Sequence, residues 1–328
     1  SKTTGTVELQ IIDKAASSGR PVNVNSLAAI FAKGFLAGLV VCFALATVYL
    51  LSVRTVRKES DMKQITSARC ISCIPEVVPK KRSNNKKLKL LITNKRIDWG
   101  FKQSMLMIQS RLQQIMRRTG DKVLLITSTI PAEGKTMTAV NMALAFAQEG
   151  MKVALLDGDL RKPSVCELMK LPEGPGLTEY FRGESTPEEI QVVKDGVTFF
   201  RAGQKKGKVS GLIDEEKMNS LLEKLRKEYD VILMDAAPSY VFSDAMILSS
   251  YADKVLYVVR VDKADAKAIQ VGMNSFEEKE KLIGYVINRD TGGYISQSGY
   301  GYGRYGKYQK YRKYAELDEE TMNTEDTL

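Results

Sequence analysis

The chain contains no histidine and only four cysteines, Cys42, Cys70, Cys73 and Cys166, in 328 residues. Cys70 and Cys73 form one C-x-x-C, but with no second pair and no histidine nothing completes a zinc site, so the thiols read as reduced cytosolic side chains. Charge is missing from the twenty residues Gly34 to Val53. Aliphatic side chains are missing from Tyr300 to Tyr314, where tyrosines alternate with Gly, Arg, Lys and Gln. Seven of the fourteen tyrosines fall in this part of the chain: Tyr294, Tyr300, Tyr302, Tyr305, Tyr308, Tyr311 and Tyr314. No core can be built there, because buried rings need aliphatic neighbours at a strand or helix period and the interspersed glycines leave the backbone loose. The stretch reads as a substrate, an adhesive surface, or both, and its composition alone would equally suit a polyanion or a nucleic acid bound by stacking.

What is present suits one α/β domain of about 150 to 250 residues with appendages. The net charge of +10 is unevenly placed. Thirteen Lys and Arg between Arg54 and Arg96 face only Glu59, Asp61 and Glu76, and this basic stretch follows an apolar segment, which points to a membrane surface before nucleic acid. As a helix, Gly34 to Val53 would rise about 30 Å, one hydrocarbon core, and it is apolar on every face, unlike a core helix. Arg54, Arg57, Lys58 and Lys63 outnumber the charges before it, so the C-terminal side is expected in the cytoplasm. The chain starts on Ser1 and reads as a truncated piece. Its expected divisions are an extracytoplasmic end (1–26), a transmembrane helix (27–53), a basic juxtamembrane linker (54–98), a nucleotide-binding domain (99–290) and a flexible tyrosine-rich tail (291–328).

Lys122 to Thr127 is a short aliphatic, β-branched run, and Thr136 to Gln148 places Val140, Ala143, Leu144 and Ala147 on one helical face, closed by Gly150. Between them Thr129-Ile130-Pro131-Ala132-Glu133-Gly134-Lys135-Thr136 fits G-x-x-x-x-G-K-[ST] with Thr129 in the first glycine position. Such a loop cradles phosphates on backbone N–H groups from Ala132 to Met137, with Lys135 on the β and γ phosphates and the Thr136 hydroxyl on Mg²⁺. Two further apolar runs end in carboxylates, Val153 to Leu156 before Asp157-Gly158-Asp159-Leu160-Arg161, and Val231 to Met234 before Asp235-Ala236-Ala237-Pro238. In an open parallel sheet these ends meet at one crevice, where carboxylates hold Mg²⁺ or accept a proton. Strands at 197–200, 255–259 and 282–287 complete a sheet of six or more, and Asn288-Arg289 ends the last one within reach of an adenine.

P-loop, strand-D-x-D-x-R, strand-D-x-x-P and a tyrosine-rich C-terminus together resemble the bacterial tyrosine kinases (BY-kinases) of capsular and exopolysaccharide synthesis. Val7 to Asp13, Arg20-Pro21 and Ile74-Pro75-Glu76 are similar to the end of a polysaccharide co-polymerase (chain-length determinant) domain and its last membrane helix. The resemblance implies a P-loop NTPase-like, mostly parallel sheet flanked by helices, with ATP and Mg²⁺ as cofactors. It implies Lys135 and Thr136 on phosphate and metal, Asp157 as base for a tyrosine hydroxyl, Asp159 and Asp235 on Mg²⁺, Arg161 on the phosphates, and the tail tyrosines as phosphorylation sites. Its implied partners are other copies of the chain, phosphorylated in trans, the membrane, the polymerase and export machinery and a cognate phosphatase; nucleic acid is not among them. Related partition and pump ATPases carry a signature lysine where this chain has Ile130, which favours the kinase branch. Family members carry E-x-x-R-x-x-R as a subunit contact where Gln103, Leu106 and Gln109 stand, and D-x-P-P where Asp235-Ala236-Ala237-Pro238 stands. Two readings remain: a membrane-anchored autokinase, and a catalytically idle ATP-binding component of an export complex.

Overall fold

The computed structural model describes residues 26–52, 54–77, 90–204, 211–277 and 280–290. The basic run Lys80 to Lys87, the loop residues Lys205, Lys206 and Lys208, and all seven clustered tyrosines lie outside the described residues. The chain divides into two units, residues 1–53 and 54–328.

Within the first unit, helix α1 (Leu27–Ser52) is apolar on every face except at Lys33 near its start, and its Leu27–Val48 stretch, with a mean hydropathy of 2.2, is long and apolar enough to cross a membrane. Phe31, Phe35, Leu36 and Phe43 are all more than half exposed, which in water would be unfavourable and in hydrocarbon is the expected state.

The second unit is built from α2 (Glu59–Met62), β1 (Cys70–Pro75), α3 (Trp99–Thr119), β2 (Val123–Ser128), α4 (Lys135–Gln148), β3 (Val153–Asp157), α5 (Val165–Met169), α6 (Leu177–Arg182), β4 (Gln191–Lys194), β5 (Val197–Phe200), α7 (Glu215–Glu228), β6 (Val231–Asp235), α8 (Asp244–Tyr251), β7 (Lys254–Arg260), α9 (Ala266–Glu277) and β8 (Leu282–Asp290). The strands form one sheet in the order β1-β8-β7-β2-β6-β3-β5-β4, parallel throughout except for the β4–β5 pair. Strands β2, β3, β5 and β6 are buried at every position, as a sheet covered on both faces requires. One face packs on α3, α4 and α5 through Met105, Ile108, Leu112, Val140, Leu144 and Val165. The other packs on α6 to α9 through Phe181, Leu221, Leu225, Leu248, Met273 and Phe276.

Helix α3 runs two residues beyond the Phe101–Arg117 periodicity at each end because its signals lie there. The Asp98 carboxylate accepts from the Phe101 N–H (3.3 Å) as N-cap, and Gly120 closes the helix at φ +75°. The three positions that depart from the family's subunit contact lie on this helix; Gln109 is buried and bonds Gln113 (3.2 Å) along the same helix.

The stretch read as a linker, 54–98, is different in the structure. Cys70–Pro75 forms the edge strand beside β8, with Ile71 and Ile74 fully buried. Leu91 and Ile92 enter the core, and Asn141 of α4 holds that segment by accepting from the Ile92 N–H (2.8 Å) and donating to the Leu90 carbonyl (2.8 Å). Arg54 and Val56 accept backbone hydrogen bonds from Ala266 (2.8 Å) and Asp262 (3.0 Å). Composition concealed this because Cys-Ile-Ser-Cys-Ile-Pro is short, lacks clean alternation and sits among basic residues. Replacing Ile71 with Ala should therefore lower unfolding free energy by about 2 to 5 kcal/mol, the range for a large-to-small change in a packed core. Urea denaturation of the detergent-solubilised chain measures it, and an unchanged midpoint would return the segment to linker status.

Candidate active site

The loop between β2 and α4 has an unusual backbone. Gly134 is the N-cap of α4 at φ +100°, and Ala132, which is not glycine, sits at φ +68°. Gly134 is needed there on two counts: its φ is costly for other residues, and a Cβ would lie 2.2 Å from Nδ2 of Asn288. That Asn288 amide donates to the Glu133 carbonyl (2.7 Å), so the end of β8 rests on the loop. Thr129, in the first glycine position, is fully buried and accepts from the Tyr257 hydroxyl (3.2 Å), which in turn pairs with Ser239 (2.9 Å). The threonine thus anchors the loop to β7 and to the segment after β6. The opening N–H groups of α4, from Gly134 to Met137, have no intrahelical acceptor and lie at the positive end of the helix dipole, the arrangement that binds phosphate.

Around that helix start the parallel sheet gathers charge. Asp157 and Asp235 are register partners at the ends of β3 and β6. The Lys135 ammonium lies 2.6 Å from Asp159 Oδ2, 3.6 Å from Asp235 Oδ1 and 3.3 Å from the Thr136 hydroxyl. Thr136 donates to Asp235 Oδ2 (2.6 Å), and Asp157 Oδ2 accepts from the Val165 N–H (3.2 Å). Lys135, Asp157, Asp159 and Asp235 are each at least 92% buried. Burial and the neighbouring Asp235 hold the Asp157 carboxyl well above the usual carboxylate range. Asp235 is raised too, by burial, with Lys135 opposing. Burial alone would pull Lys135 down, but Asp235 and Asp159 more than offset it and the ammonium is held above its ordinary value.

One ammonium faces three carboxylates here, and Oδ1 of both Asp157 and Asp235 is buried without a hydrogen-bond partner. Such an arrangement suits a hard divalent cation, because hydroxyl and carboxylate oxygens are its preferred donors. No group of three or more carboxylate, Cys or His ligands forms a closed metal cage among the described residues.

Lys135, Thr136, Asp157, Asp159 and Asp235 are brought together, with Ala132, Glu133, Gly134 and Met137 in the loop and first turn. Arg161 is placed otherwise. Its guanidinium is engaged by both oxygens of Asp244 (Nη2 to Oδ1, 3.0 Å) and stacks 4.4 Å over the Phe242 ring. Arg289 is half-exposed, at φ +58°, with its guanidinium 3.6 Å from Glu76. Sequence reasoning missed Tyr257, Ser239, Asp244, Phe242 and Arg260, whose guanidinium donates to the Ala132 carbonyl (2.9 Å). Apart from the Tyr257–Ser239 pair, 18 residues apart, each lies about eighty or more residues from its partner, so no local spacing signals the contact; the Ser-Asp opening of α8 is a local cue, and it reads as a helix start.

Much of the chain is similar to known proteins. Residues 120–268 match the family model described as ParA, NUBPL iron-transfer P-loop NTPase. The tyrosine-protein kinase CpsD of Streptococcus pneumoniae is 33% identical over 184 residues, 52% of this chain and 78% of that kinase. YwqD of Bacillus subtilis, also a tyrosine-protein kinase, is 32% identical over 185 residues, 55% of this chain and 77% of the relative. A putative tyrosine-protein kinase in the cps region of Klebsiella pneumoniae is 25% identical over 293 residues, 85% of this chain, but this chain spans only 40% of it. Among solved structures, the chimerical protein CapA2B2 superposes with a TM-score of 0.61 at 25% identity, over 70% of this chain and 98% of the other. The kinase domain of Escherichia coli ETK shares the fold, with a TM-score of 0.64 at 24% identity, over 76% of this chain and 99% of that domain. With about a third of its aligned residues shared with kinases of which it spans more than three quarters, the chain belongs to the bacterial tyrosine-protein kinase family.

Proposed function

We propose that this chain is a membrane-anchored, ATP-dependent protein-tyrosine autokinase that phosphorylates its own C-terminal tyrosine cluster and thereby regulates capsular or exopolysaccharide assembly. The observation that carries the reading is the meeting of Lys135, Thr136 and three buried carboxylates at the start of α4. A kinase of this kind would take its phosphoryl group from a nucleotide, and Mg²⁺ would neutralise charge on the terminal phosphates.

The chain's own residues then have distinct tasks. Backbone N–H groups at the start of α4 bind the phosphates, and Lys135 stabilises charge on the group being transferred. Thr136 and Asp235, already hydrogen-bonded to one another, form the metal side of the site, with Asp159 beside Lys135. Asp157 has a free buried oxygen and a raised affinity for a proton, which suits it to take the proton from a tyrosine hydroxyl. Asp244, which holds Arg161 over Phe242, lines a small pocket with Gly158, Leu160 and Ile247. Anchoring through α1 on the cytoplasmic membrane, with the kinase domain inside, places the site where ATP is available. Association with further copies and with a co-polymerase follows the same resemblance.

Lys135→Met should lower tail phosphorylation at least about a hundredfold, since a charge facing the transferred group is removed from a buried site. Mass spectrometry of tail peptides after incubation with ATP and Mg²⁺ reads this directly. Undiminished phosphotyrosine would overturn the assignment of the nucleotide site, and its absence from the unsubstituted chain would favour the idle ATP-binding component.

The two strand-end carboxylates should separate. Asp157→Asn should abolish transfer while leaving Mg·ATP affinity within about threefold, whereas Asp235→Asn should weaken Mg²⁺-dependent binding as well. Because Asp157 must be ionised to act and is held above the ordinary range, transfer by the unsubstituted chain should fall as pH is lowered toward that raised value. Calorimetric titration of both variants decides between them; equal losses of affinity would remove the division of labour.

A further inference from the structure

Glu133 occupies one of the unspecified positions of the phosphate-loop motif, between exposed Ala132 and half-buried Gly134, yet its side chain is fully buried. The carboxylate is turned away from the helix start and into the protein. Its Oε2 accepts from the Ile130 N–H (2.7 Å) at the beginning of the loop, and its Oε1 from the Arg260 N–H (3.3 Å) at the end of β7. The carbonyl of the same residue accepts from Asn288 on β8 (2.7 Å), and the Arg260 guanidinium reaches back to the Ala132 carbonyl (2.9 Å). One residue therefore ties the loop to the ends of the two neighbouring strands. It does so beside Ala132, whose left-handed backbone is unfavourable for a residue other than glycine and persists only where its surroundings impose it.

We propose that Glu133 is a positioning residue for nucleotide: its carboxylate, acting through Ile130 and Arg260, holds the phosphate-binding loop in its curved form from behind. The proposal rests on the nucleotide reading above and adds to it a residue that would touch no phosphate. By occupying the Ile130 N–H, Glu133 also leaves the phosphates to the N–H groups at the start of α4.

The carboxylate has a property that separates this role from packing alone. Burial pushes its carboxyl up to about 7, against the pull of the hydrogen bonds from Ile130, Arg260, Thr129 and Ser128. The charged and titratable groups facing it are Arg260 and Tyr257 from β7; Tyr257 is itself pushed upward by burial and stays neutral. Asn288 on β8 carries no charge, and Lys135 on α4 is engaged by Asp159 and Asp235. Above about pH 7 both carboxylate oxygens accept N–H groups. Below it the protonated oxygen faces a donor with a donor, one hydrogen bond is lost, and the loop loosens. Nucleotide affinity should therefore rise with pH through that range.

The test is equilibrium binding of Mg·ADP to the full chain in detergent, between about pH 6 and about pH 8, for the unsubstituted protein and Glu133→Gln. Glutamine keeps the shape but presents amide hydrogens to one of the two donors. Near pH 8 it should bind about tenfold more weakly, the effect of one unsatisfied buried donor. Its pH dependence should be flattened, so that the two proteins converge near pH 6, and in turnover the loss should fall on KM for ATP more than on kcat. Asn288→Ala, which removes the other tie but keeps the carboxylate, should bind more weakly while retaining the pH step. Unchanged affinity in Glu133→Gln, or the same pH dependence in both proteins, would overturn the proposal. If Glu133→Gln does not fold, a flat profile for the unsubstituted chain and Asn288→Ala overturns it equally. Failure of the unsubstituted chain to bind Mg·ADP at any pH would instead sink the nucleotide reading itself.

Discussion

Lys135 carries a single positive charge into a buried crevice lined by Asp157, Asp159 and Asp235, and most of the molecule can be understood as what is needed to hold those four groups there. Removing a carboxylate from water is expensive, and one ammonium cannot compensate three. The imbalance is visible in the raised proton affinity of Asp157 and Asp235 and in their two buried oxygens without hydrogen-bond partners. Ordinary stability would not retain such a cluster. A site built to bind a cation or a proton would, because either one offsets part of that excess negative charge.

The sheet makes the cluster possible. Strands β2, β6 and β3 are adjacent and parallel, so their C-terminal ends deliver Thr136, Asp235 and Asp157 to one edge. Their aliphatic interiors, buried on both faces, supply the hydrophobic stabilisation that tolerates unfavourable charge at one end. The loop is braced from the opposite side by β7 and β8, through Tyr257, Arg260 and Asn288. β8 is in turn flanked by β1, so a segment that follows the apolar helix in sequence supports the strand that supports the loop.

The legible parts were those written in contiguous residues. The apolar helix, the strand-loop-helix around Gly134-Lys135-Thr136, and the carboxylates after two aliphatic runs could all be read directly, and the parallel α/β fold followed from their alternation. The edge strand β1 was not legible, because a six-residue run of Cys, Ile, Ser and Pro looks like a strand only when β8 and α3 cover it. Arg161 was read from its motif as a phosphate ligand, but Asp244, 83 residues away, engages it with both oxygens. The Glu133 side chain carried no signal at all, since its partners are a neighbouring backbone and a strand 127 residues on.

By itself the sequence determined the inventory of candidate groups: a phosphate loop lacking its first glycine, three carboxylates at or just after strand ends, an apolar helix and a tyrosine cluster. Local spacing suffices for these because a turn, a helix start or an apolar run is decided by residues a few positions apart. Only the tertiary structure decided which charges meet, that Lys135 faces Asp159 and Asp235 while Arg161 is held by Asp244, and that Glu133 turns inward. Those outcomes depend on strand order, and the order β7-β2-β6-β3 is set by how the two helical layers pack on the sheet as a whole and not by any one stretch of chain.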